Sequence, residues 1–147
     1  MEPRTLRYKE AHLHYLVKGE GPAVVLLHGF GEDATIWERQ FDSFPGYRLF
    51  VPHLPGSGGS EMGADMSMEG MAEAMHALLI AEAATPCLLL GHSMGGYVAL
   101  AFAEHYPEAL LGFGLIHSSA FADSEEKVAT RRKSILFIQE HGAAAFL

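Results

Sequence analysis

Leu88–Ala101, LLLGHSMGGYVALA, sets a polar hydroxyl between two apolar runs. The run before it, CLLLG (Cys87–Gly91), reads as a buried strand. The run after it, MGGYVALAFAEHY (Met94–Tyr106), reads as a helix that Pro107 stops. Ser93 therefore sits in a sharp strand-to-helix turn, within Gly91-His92-Ser93-Met94-Gly95, the pattern G-x-S-x-G. Such a turn brings the serine backbone close to its neighbours, and a Cβ at Gly91 or Gly95 would collide. It also lifts the hydroxyl above the C-terminal edge of a sheet. There the helix N-terminus favours developing negative charge. A glycine-rich turn with a capping serine is the bland alternative, and the strand, the helix and a second motif together outweigh it.

The second motif is LLHGFGED (Leu26–Asp33), which follows the apolar strand AVVLL (Ala23–Leu27). A nucleophile that attacks a carbonyl needs two N–H groups converging on the oxygen. One comes from the residue after the nucleophile, here Met94, and one from a flexible loop nearby. Phe30 is the expected second donor, because Gly29 and Gly31 on either side let the chain bend. His28 is expected to hold this loop by a hydrogen bond, and His92 to pack beneath the serine turn. Trp37, Phe30 and Phe121 are candidates for an apolar pocket wall.

The remaining chain alternates strands and helices. Leu6–Tyr8 and Ala11–Val17 read as a hairpin, with His12 and His14 on one face and Leu13 and Tyr15 on the other. Tyr47–Val51 and Leu110–His117 read as further strands. A short helix is expected near Thr35–Gln40. Met68, Met71, Ala72, Met75, Leu78 and Leu79 recur at helical spacing, a core stripe. Asp123 and Glu126 suggest a capping box opening a last helix that Gly142 ends. Continuous apolar strands alternating with helices imply an α/β fold, a mostly parallel sheet with helices on both faces.

Composition narrows the function classes. The 147 residues carry 18 acidic against 10 basic side chains, a net charge of −8, with no basic stripe beyond Arg131-Arg132-Lys133, so no nucleic-acid partner is expected. Cys87 is the only cysteine and no Cys/His spacing suggests a metal site; neither metal nor cofactor is expected. The charged start MEPRTLRYKE resembles no signal peptide, and no run reaches the ~18 apolar residues of a membrane span. A cytoplasmic protein without a membrane partner is the expectation.

HGFG, HLPGSGGS and GHSMGG, in this order and spacing, resemble the α/β-hydrolase fold family over about Leu6 to His117. One departure is His53, where members usually carry an acidic residue. The resemblance implies a serine hydrolase of esterase type acting on a small-molecule ester or related acyl bond. Ser93 would be the nucleophile and Phe30 and Met94 the oxyanion hole, supported by His28, Gly29, Gly91, His92 and Gly95. Thioester, carbon–carbon and perhydrolase chemistry use the same elements. Epoxide hydrolase and haloalkane dehalogenase relatives carry a carboxylate where Ser93 stands. Residues 1–120 would be the N-terminal part of the core and residues 121–147 the start of a helical cap.

A serine also needs a base oriented by a carboxylate, and in this family both follow it in the order Ser, Asp or Glu, His. By the resemblance they lie on strands later than the one ending at His117, so the C-terminal strands, acid and base are expected to be absent from these residues. His117 is the one internal base candidate. Two readings stay open: half of a serine hydrolase, inactive alone, or a non-catalytic fragment that associates through an exposed apolar sheet edge, with itself or with a C-terminal half.

Overall fold

Apolar runs without alternation form the middle of one six-stranded sheet. A computed structural model describes all residues from Met1 to Leu147. The strands are β1 (Glu2–Tyr8), β2 (Ala11–Lys18), β3 (Ala23–Leu27), β4 (Arg48–Pro52), β5 (Cys87–His92) and β6 (Leu110–Ile116), in the order β1-β2-β4-β3-β5-β6. β1, β2 and β4 pair antiparallel, whereas β4, β3, β5 and β6 run parallel. All five residues of β3 are buried, as a central strand covered on both faces requires.

The helices are α1 (Met68–Ala81), α2 (Met94–His105), α3 (Glu125–His141) and α4 (Ala143–Phe146). The methionine stripe of α1 is core: Met71, Met75, Leu78 and Leu79 join Val98 and Phe102 of α2 against Phe50, Leu89 and Cys87 of the sheet, in a cluster of 22 buried residues. Burial pushes the Cys87 thiol up to about 11. The opposite face is thinner. Its cluster has six buried residues, with Trp37 over Val24, Leu26, Leu49 and Val51, and leaves Leu88, Leu90 and Ile116 only partly covered. Its cover, Ala34–Gln40, is a 3-10 helix rather than an α-helix, opened by the Asp33 carboxylate accepting from Thr35 N–H.

The last helix also starts differently from the capping box expected from sequence. Ser124 is the cap, its hydroxyl accepting from Lys127 N–H, while Asp123 pairs with Lys127 and Arg131. The Asp123 side chain thus answers two cations on the following turns and is not free to cap. Gly142 ends the helix at φ 83°. No residue of α3 is buried. β6 is an edge strand, with Leu111 61% and Phe113 45% exposed.

The strand order fixes where a site can form. The chain leaves β3 towards β4 on one side and leaves β5 towards β6 on the other. Adjacent parallel strands with diverging exits open a crevice at their C-terminal ends. Both motifs, after Leu27 and after His92, emerge there.

At the far edge Glu82 ties β1, β2 and β4 to the end of α1. Its carboxylate accepts from Arg4 at 2.6 Å, Tyr15 at 2.7 Å and Arg48, while Arg48 also donates to the Glu82 carbonyl at 2.9 Å. Burial pushes the Tyr15 phenol up to about 12, with the Glu82 carboxylate adding to the shift. Burial alone would raise the Glu82 carboxyl, but the hydrogen bonds from Tyr15 and Arg4 outweigh it and hold it low. The Glu82 side chain is only 12% exposed, and Glu82→Ala removes the acceptor that Arg4, Arg48 and Tyr15 share, leaving Arg4 to Glu2 and Arg48 to the backbone carbonyl at position 82. Because both arginines keep some contact with water, the expected loss in urea denaturation is about 2–3 kcal/mol, below that of a fully buried pair.

Candidate active site

Ser93 lies between β5 and α2 with φ 50° and ψ −114°, a backbone conformation that side chains rarely adopt. The surroundings impose it. Ser93 N–H donates to the Ile116 carbonyl at 3.0 Å, and the Ser93 carbonyl accepts from Ser118 Oγ at 2.8 Å and Gly96 N–H at 3.0 Å. A Cβ at Gly91 would strike the Gly95 carbonyl, and one at Gly95 would stand 2.6 Å from the His28 carbonyl oxygen. One at Gly96 would displace Ser118. The turn is therefore packed backbone to backbone. The Ser93 side chain is partly exposed, and no side chain of the chain hydrogen-bonds its Oγ.

The loop after β3 lies against this serine: a Cβ on Gly29 would be 3.1 Å from Ser93 Cβ. His28, fully buried, holds the loop from below. Its Nε2 accepts from Leu54 N–H at 2.9 Å, so Nδ1 carries the proton and donates to the Gly29 carbonyl at 2.8 Å. Burial keeps the His28 imidazole below its ordinary pKa, which preserves this neutral form. His53, standing where the resemblance leads one to look for an acid, accepts from Ala34 N–H at 3.3 Å through Nδ1 and lies over Gly58. Burial lowers its pKa as well.

The N–H groups of the two expected donors are unclaimed within the chain. Phe30 N–H has no acceptor, and Met94, the first residue of α2, has none in its own helix. His92 does not pack beneath the turn. Its Nδ1 reaches sideways to the Glu32 carboxylate at 2.9 Å, and its ring meets Trp37 and His117 edge-on at 6.3 and 6.0 Å. His117 is exposed at φ 46° and hydrogen-bonds to no carboxylate, and His92, the one histidine here paired with an acid, makes no hydrogen bond to Ser93 Oγ. Sequence reasoning passed over Glu32 and Ser118. Glu32 carried a signal, an acid three residues after Gly29 in a tight turn; Ser118, distant in sequence from the serine it supports, carried none.

A groove of about 450 Å³ runs between Phe30 and α3, with Ile135, Ile138 and Phe146 along its wall. Of the three aromatic residues weighed for a pocket wall, only Phe30, 56% exposed, lines it. Trp37 is core at 8% exposure, drawn into the sheet by Val24 and Leu49, and Phe121 projects into solvent at 89%. No group of three or more His, Cys, Asp or Glu side chains is placed to hold a metal ion, and no helix is long and apolar enough to cross a membrane.

Residues 22–136 match the family described as alpha/beta hydrolase fold. The chain belongs to that family. Among solved structures, this α/β-hydrolase chain is similar to a thermophilic esterase from Thermogutta terrifontis, with 32% identity and a TM-score of 0.83 over 97% of this chain and 55% of that one. It is 38% identical over 109 residues to a pimeloyl-[acyl-carrier protein] methyl ester esterase of Yersinia enterocolitica, covering 73% of this chain and 41% of that protein. Epoxide hydrolase 3 of Xenopus tropicalis is 33% identical over 129 residues, covering 80% of this chain and 35% of that protein. The chain thus spans between a third and just over half the length of these relatives.

Two outcomes follow from the local geometry. The Ser93 conformation stores strain that glycine would release, typically ~1–3 kcal/mol against ~0.5–1 kcal/mol of added chain entropy. Ser93→Gly should therefore melt above Ser93→Ala in a thermal scan. His28 and His53 have folded pKa values below 6.5, so their stabilisation is complete above pH ~6.5. As pH falls through that value the unfolded chain binds protons that the native state refuses. The urea midpoint should drop between pH 7 and 5, and His28→Gln should flatten that drop.

Proposed function

We propose that the protein is a serine hydrolase acting, without metal or cofactor, on a carboxylic ester or related acyl bond of a small molecule. The observation that carries this reading is the strained Ser93 with its unpartnered Oγ, at the N-terminus of α2 and against the Gly29 loop. In this reading Ser93 Oγ attacks the carbonyl carbon and its proton passes to a general base. The carbonyl electron pair moves onto oxygen, which accepts from Phe30 and Met94 N–H. Collapse expels the alcohol, protonated by the same base, and water then releases the acid from the acyl-enzyme. The esterase relatives support an ester substrate. A hydroxyl at position 93, where epoxide hydrolases of the resemblance carry a carboxylate, weighs against epoxide chemistry.

No histidine hydrogen-bonds Ser93 Oγ and the relatives are about twice as long or more, so we assign acid and base to residues outside these 147 and read residues 121–147 as the start of a cap. A reducing cytoplasm suits the single buried Cys87. The exposed Leu111 and Phe113 on edge strand β6 favour a second reading, a non-catalytic unit that associates along that edge.

Full-length protein should be labelled at Ser93 by a fluorophosphonate, and Ser93→Ala should lose labelling and ester hydrolysis together. Undiminished turnover of Ser93→Ala would overturn the assignment. Residues 1–147 alone should self-associate in sedimentation and retain at most the ~10³–10⁴-fold rate over water that oxyanion hole and binding provide without a triad. A monomer with enzyme-like turnover would point to an internal base, His117 first.

A further inference from the structure

The Glu32 carboxylate hydrogen-bonds to both halves of the crevice. Its Oε2 accepts from Gly29 N–H at 2.6 Å in the loop after β3, and lies 2.9 Å from Nδ1 of His92, the residue before Ser93. Its own N–H donates to the Gly29 carbonyl at 3.4 Å, beside the 2.8 Å bond from His28 Nδ1. Gly29 is therefore held at both its N–H and its C=O. A trans peptide is planar, so N–H and C=O of the Gly29–Phe30 unit point in opposite directions. Fixing the Gly29 carbonyl towards His28 and the Glu32 amide aims Phe30 N–H the other way, where the chain offers it no acceptor.

The same carboxylate sets the distance between the loop and the serine turn. His92 is two residues from Met94, whose N–H opens α2, and its ring is pinned to Glu32 on one side and edged by Trp37 on the other. Glu32 is partly buried, its side chain about 30% exposed, and no lysine or arginine pairs with it. Its hydrogen bonds go to a backbone amide and an imidazole, both within the site, rather than to the surface.

We propose that Glu32 is a positioning residue of the hydrolase: by bridging Gly29 N–H and His92 it sets the separation and aim of the Phe30 and Met94 N–H donors. The inference rests on the serine-hydrolase reading above. It concerns an interaction made with the tetrahedral oxyanion and not with the ground-state ester, so it acts on kcat and leaves KM.

The test uses full-length protein with a p-nitrophenyl ester as substrate and a trifluoromethyl ketone as tetrahedral probe, in wild type, Glu32→Ala, Glu32→Gln, His92→Phe and Ser93→Ala. Misplacing a donor should lower kcat of Glu32→Ala by about 10- to 100-fold, short of the ~10²–10³-fold of losing one outright. KM should stay within about twofold, and ketone affinity should fall with kcat/KM. Glu32→Gln keeps an oxygen acceptor and should recover most of the rate. His92→Phe should fall between them, and it carries the test if Glu32→Ala does not fold. Loss of activity in Ser93→Ala with wild-type kcat in Glu32→Ala, or in His92→Phe where Glu32→Ala does not fold, overturns this proposal alone. A change confined to KM, or equal losses in Glu32→Ala and Glu32→Gln, overturns it as well. Full activity in Ser93→Ala overturns the underlying reading instead.

Discussion

Everything at the crevice depends on one steric constraint: the backbone of the turn after β5 touches the backbone of β3. Gly95 lies against the carbonyls of Leu27 and His28, and Gly91 against Gly95, so no side chain can stand between strand, turn and helix. Ser93 is the residue forced outward by this packing, at a φ of 50° that the strand before it and the helix after it jointly impose. The strain is carried by a buried, cooperative region, Leu27, Leu89, Val98 and Ala99 all being inaccessible. A backbone held this way has little freedom left to lose when a ligand docks, because that freedom was surrendered on folding.

Around the serine, the buried His28, the half-buried His53 and one acid do the work of tying loops together. His28 joins the loop after β3 to the loop after β4 through Leu54, and His53 joins the latter to the 3-10 helix through Ala34. Each uses a ring nitrogen as acceptor from a backbone amide, which requires the neutral imidazole and explains why both sit where burial disfavours charge. The loops over the sheet edge are therefore braced from inside, while α3 rests on them without burying a residue. Core and covering helix differ sharply in how firmly the sequence anchors them.

Legibility followed the same division. The central strands, the α1 stripe and the serine turn were readable because burial on both faces and close backbone approach leave few residue types possible. The boundaries missed were those set by side-chain competition. Asp123 fits a capping box on spacing alone, but Lys127 and Arg131 draw it away and Ser124 caps instead. Trp37 reads equally well as pocket wall or core until the thin face of the sheet is seen to need it. His92 was expected under the turn; an acid 60 positions earlier in the chain pulls it sideways, a contact that no local pattern announces.

Cys87 gives this architecture a built-in reporter. It is fully buried on β5, between Ala23 of β3 and Leu110 of β6, six residues before Ser93. Its thiol, raised to about 11, has almost no thiolate at neutral pH while the sheet is closed. A disulfide exchange reagent can reach it only when the packing of α1 and α2 on β5 opens, so the rate of thiol modification measures how often the layer beneath Ser93 parts. Loop motion above the sheet leaves that clock untouched.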